Sequence, residues 1–151
     1  MCLLKSTSHP TITYVKIFKE CNEGERYKLR KVYKVKQHEQ HVNFYIDQIV
    51  ELKPAKEVIA DSDTMSFIYI VEENDQYSYL AFEQQTWESL IPFIQSGKNP
   101  TVSVGEKELE LIDFSEEFQS LVFNIEGNSN YGEQFVEIVE ETFAIILRNS
   151  I

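Results

Sequence analysis

Cysteine is nearly missing from this chain, with only Cys2 and Cys21 among 151 residues. A disulfide scaffold is shorter and far denser in cysteine, so both read as free thiols of a reducing compartment. No C-x-x-C pair occurs. Glycine is also scarce, and Gly24, Gly97, Gly105, Gly127 and Gly132 are too scattered for a phosphate-cradling loop. No G-x-S-x-G nucleophile elbow is present. Long apolar runs are missing as well. The longest, residues 143–147 (FAIIL), falls far short of the ~20 residues a membrane span needs. The opening MCLLKSTSHP lacks the apolar core and small-residue site of a signal peptide. These absences leave a cytoplasmic protein as the default, with no membrane partner, catalytic residue, metal or cofactor indicated.

Positive charge is scarce over most of the length. Residues 1–36 hold nine Lys/Arg and three Asp/Glu, whereas residues 37–151 hold five Lys/Arg and twenty-two Asp/Glu. The local charges are +6 and −17, within a formal net charge of −11. Nucleic-acid affinity rests on cations that displace counterions, so a nucleic-acid partner is excluded. An acidic surface keeps a protein in solution or suits a basic protein partner.

What is present is ordinary globular composition on a chain long enough for one domain. Residues 29–37 and 41–47 are rich in β-branched and aromatic side chains, and Val42, Phe44 and Ile46 alternate with polar positions. That alternation predicts strands. Pro54 predicts a loop before the short apolar run Val58-Ile59-Ala60. Residues 66–71, apolar on both faces, predict a central strand, and 77–82 its hairpin return. Trp87, Leu90, Ile91 and Ile94 then take helical spacing, with Pro92 expected to kink or restart that short helix. Residues 101–104 and 107–111 predict a further hairpin. Asp113 with Glu116 forms a capping signal for a helix buried through Phe114, Phe118, Leu121, Val122 and Ile125. Gly127 suits its left-handed end. A last helix follows, capped by Asn130 and Glu133 and buried through Val136, Val139, Phe143 and Ile146, with Phe135, Ile138, Ile145 and Leu147 widening the apolar face. Segregated strands and helices predict an α+β fold: one antiparallel sheet of five or more strands, with the short helix and the two C-terminal helices packed on it.

The candidate residues are few. Asp61 and Asp63 form a carboxylate pair, but a calcium loop counted from Asp61 would place Ser66 where glycine is required. A turn or cap role is the simpler account. His38, His41, Cys2 and Cys21 match no zinc spacing. Residues 127–133 (GNSNYGE) offer Asn128, Asn130, Tyr131 and Glu133 at a helix start, where backbone donors suit a small anion; a tight, doubly capped connection explains them equally. Trp87, the single tryptophan, reads as core. A ligand site would require this loop to converge with Asp61 and Asp63 in one pocket.

Residues 33–142 resemble a small family of bacilli and staphylococci, the YjbL-like family. The likeness is densest at Asp61-Ser62-Asp63 with Phe67-Ile68-Tyr69, at Tyr77-Ser78-Tyr79 running into Trp87, and at Asn124-Ile125-Glu126 followed by residues 127–133. The resemblance implies a cytoplasmic protein of a low-GC Gram-positive bacterium and brings no function. It fades before Tyr33. Residues 1–28 are accordingly expected to be an N-terminal extension, either translated leader or an edge strand, and residues 29–151 the single domain. The leader expectation rests on the charge reversal and on Glu23-Gly24-Glu25, whose codons can spell a ribosome-binding sequence ahead of a start at Leu29. The functional expectation is a non-catalytic protein-binding or regulatory module with an acidic surface, with a homodimer through the C-terminal helix. The alternative is a small-ligand binder or enzyme built on the 127–133 loop near Asp61 and Asp63.

Overall fold

The computed structural model describes residues 3–5, 16–18, 28–37, 41–47 and 50–148. Its elements run β1 (Leu3–Lys5), β2 (Lys16–Phe18), β3 (Lys28–Lys31), β4 (Tyr33–Gln37), β5 (His41–Ile46), β6 (Lys53–Asp61), β7 (Ser66–Glu73) and β8 (Gln76–Glu83). Then come α1 (Trp87–Ser96), β9 (Thr101–Val104), β10 (Lys107–Glu110), α2 (Phe114–Ile125), α3 (Glu133–Thr142) and α4 (Ala144–Arg148). The fold is mixed α+β.

The single antiparallel sheet expected from the sequence is not what forms. The strands divide between a sheet of order β1-β2-β6-β7-β8-β3 and one of order β10-β9-β5-β4. Antiparallel pairing holds at the centre of the first, where β7 lies between β6 and β8. Parallel joins flank it: β3 runs beside β8 from Lys28–Ser78 to Lys31–Ala81, and β2 meets β6 at Ile17–Ala60. In the second sheet β5 is parallel to β9, pairing Phe44 with Val102 and Ile46 with Val104. Periodicity shows which residues face a core but not which strands become neighbours, which is why the division was not legible.

One stretch serves both sheets. β3 ends at Lys31 and β4 begins at Tyr33, so the chain passes from one sheet to the other through Val32. Val32 is buried, and its N–H donates to the Ala81 carbonyl at 3.0 Å. The two sheets thereby share one core with the helices. It is formed by Val58, Phe67, Tyr69, Leu80 and Phe82 from the first sheet, Phe44 and Val102 from the second, and the apolar stripes of the helices. β7 alternates between this core and a smaller cluster on the opposite face, Ile59, Ile68, Ile70, Tyr79 and Ala81. That explains why its sequence is apolar on both faces.

Several local expectations change. Pro54 lies inside β6 rather than in a loop, because a bulge between Pro54 and Glu57, with Lys56 at φ 66°, absorbs its missing donor. α1 continues through Pro92. The last helix breaks at Phe143, where φ −105° and ψ 26° leave helical geometry, so α4 starts afresh. Asp113 sits at φ 66° and makes no capping hydrogen bond. Asn99 takes that role from the loop before β9, its Oδ1 accepting from the Ser115 N–H at 3.2 Å. Asn130 does not cap α3 either; Gly132 occupies the position, with φ 98°.

Candidate functional site

Asp61 closes β6 and Asp63 lies in the turn to β7. Asp61 is buried, and its Oδ1 accepts the Asp63 N–H at 3.1 Å, a local bond that mimics a backbone turn. Burial pushes the Asp61 carboxyl above its ordinary 3.8; hydrogen bonds from Thr64 and Asp63 work against that, and the neighbouring Asp63 charge adds to it. Asp63 is exposed. Both residues thus have work to do in a tight hairpin.

Trp87 opens α1 and is fully buried, with its Nε1–H donating to the Phe82 carbonyl at 2.9 Å. Its ring lies 5.0 Å from Phe67, 6.0 Å from Phe135 and 5.8 Å from Phe143. The indole therefore ties the central strand to α3 and to the break at Phe143 that follows it, and leaves no face for a ligand.

The 127–133 segment is built as a closed helix–helix connection. Gly127 takes φ 67° just past the end of α2, and its N–H donates to Glu140 Oε2 at 2.8 Å. Asn124 Nδ2 donates to the buried Tyr131 hydroxyl at 2.9 Å. Asn128 Oδ1 accepts from the Asn130 N–H at 3.1 Å, holding a single 3-10 turn at Ser129–Tyr131. Tyr131 stands 6.4 Å from the Phe135 ring, at the margin of the core. Asn124, Asn128 and Tyr131 spend their polar groups on one another and on the backbone.

Beside this connection is a shallow groove of about 360 Å³, lined by Gly127, Ser129, Glu133, Val136, Glu137 and Glu140. Glu133 joins it; Asp61, Asp63 and Trp87 do not line it. Three carboxylates in one small groove repel an anion, so the outward-pointing donors expected at this helix start face an unfavourable field. His41 lies in β5, while Cys2, Cys21 and His38 lie outside the described residues. Among the described residues, no three His, Cys, Asp or Glu side chains group as a metal site, and no helix is long and apolar enough to cross a membrane.

Asn99, Glu140 and Ser115 carried no signal in the sequence. The buried Ser115 hydroxyl donates to the Lys98 carbonyl, fastening the start of α2 to the end of α1. These partners lie 13 to 17 residues apart, beyond the reach of a spacing rule.

The fold and these networks define an α+β domain whose unusual polar residues serve junctions between elements. Within that class the chain belongs to UPF0738, a family of unknown function whose profile matches residues 30–143. A UPF0738 protein of Lysinibacillus sphaericus is 39% identical over 125 residues, covering 79% of this chain and 98% of the relative. One from Staphylococcus saprophyticus is 42% identical over 115 residues, covering 76% and 96%. One from Bacillus cytotoxicus is 38% identical over 96 residues, covering 64% and 78%. The resemblance to a family of bacilli and staphylococci is borne out. No solved structure matches the chain.

Proposed function

We propose that the protein is a non-catalytic protein-binding or regulatory module of the cytoplasm that offers an acidic helical surface to a basic protein partner. One observation carries this reading. α1, α2 and α3 together contain Glu88, Glu116, Glu117, Glu133, Glu137, Glu140 and Glu141 and neither lysine nor arginine. Helix stability accounts for Glu88, Glu116, Glu117 and Glu133, which stand in first turns where the helix dipole favours negative charge, but not for the rest. Glu140 and Glu141 stand at the end of α3, where the helix dipole disfavours negative charge by roughly 0.3–1 kcal/mol each. Glu140 has a structural use at Gly127; exposed Glu141 and Glu137 point to use by a partner.

The test compares wild type with the triple variant Glu133→Gln, Glu137→Gln, Glu141→Gln in pull-downs from the native host followed by mass spectrometry. A basic protein captured by wild type, weakened by salt and lost from the variant supports the reading, provided the variant melts no lower than wild type. Equal capture by both chains, or none by either, overturns it.

A homodimer through the C-terminal helices is a second element of the proposal. Ile145 on α4 is 39% exposed, and Ile138 and Leu147 are half-buried, leaving apolar surface for a second copy. Phe135 and Ile146 are spent on the core, so the patch is narrower than the sequence implied. Light scattering at micromolar concentration should give twice the chain mass, reduced by Ile145→Glu. A monomer mass for wild type removes the dimer.

A further inference from the structure

We draw no further inference here: the strongest candidate, the apolar face of the central sheet formed by Ile59, Ile68, Ile70, Tyr79 and Ala81 on the side away from the helices, carries nothing because all five side chains are already buried within the chain and, beyond Ala55, nothing among the described residues shows what covers them.

Discussion

Asp61 shows how one residue can carry a functional signature and a structural duty together. A buried carboxylate with a raised pKa fits a general acid, yet here the side chain accepts the Asp63 N–H and shapes the hairpin. An amide oxygen can accept the same bond without a charge to desolvate. Because the folded pKa is raised, the ionised form costs stability above it. That cost fades as the pH falls through the folded value toward the ordinary 3.8. Asp61→Asn is therefore expected to raise the melting temperature at pH 7, with the gain shrinking as the pH approaches 4. Thermal scans by circular dichroism across that range check it. A loss of stability at pH 7 would mean that the carboxylate's hydrogen bonds outweigh its desolvation. The buried tyrosines obey the same rule. Burial raises the hydroxyl pKa of Tyr69, and it pushes that of Tyr79 up to about 12. Both stay neutral at physiological pH.

At the scale of elements, the helices are held by partners distant in sequence. α2 carries the expected apolar stripe, with Phe114, Phe118, Leu121, Val122 and Ile125 all buried. Its start nevertheless depends on Asn99, sixteen residues from the Ser115 N–H that it caps. Removing a side-chain cap typically costs about 1 kcal/mol. Asn99→Ala should lower stability by roughly that amount, measured by urea unfolding. Asp113→Ala, at a left-handed residue that makes no cap bond, should act through backbone strain instead. Unchanged stability in Asn99→Ala would show that solvent replaces the cap. α3 and α4 follow the same logic: their interruption at Phe143 lets that ring lie 5.2 Å from Phe118 and 6.0 Å from Phe67.

At the scale of the whole molecule, the open question is where the folding unit begins. The family profile starts at residue 30, inside β3 and just before the crossing at Val32. The Lysinibacillus relative is covered almost end to end by about four-fifths of this chain. We propose that residues 29–151 are the folding unit and residues 1–28 an extension, although β2 lies between β1 and β6 rather than at the sheet edge the sequence suggested. It joins β6 at Ile17–Ala60, and Lys28 pairs with Ser78. Deleting residues 1–28 is expected to change the melting temperature by only a few degrees, within the ~2–4 °C that 1 kcal/mol produces in a chain of this size. A larger fall, or aggregation of the shortened chain, would assign those residues to the core.

Local chemistry made much of this architecture legible. The alternation in β5, the apolar run of β7 with its hairpin return in β8, the turn at Asp61, the helical spacing after Trp87 and the left-handed Gly127 all follow from interactions within a few residues. The sequence by itself determined which residues are apolar, where most of the strands and helices lie, and the charge imbalance that underlies the proposed function. Only the tertiary structure decided that β3 and β4 are one stretch shared by two sheets, that β5 joins β9 in parallel, and that Asn99 rather than Asp113 caps α2. It also decided that Asn124, Asn128 and Tyr131 bond inward while Glu133 faces a groove. Each of these is a choice among distant partners of similar local chemistry. Such choices are settled by which arrangement buries the apolar surface and satisfies the backbone together, a condition on the whole chain that no short segment contains.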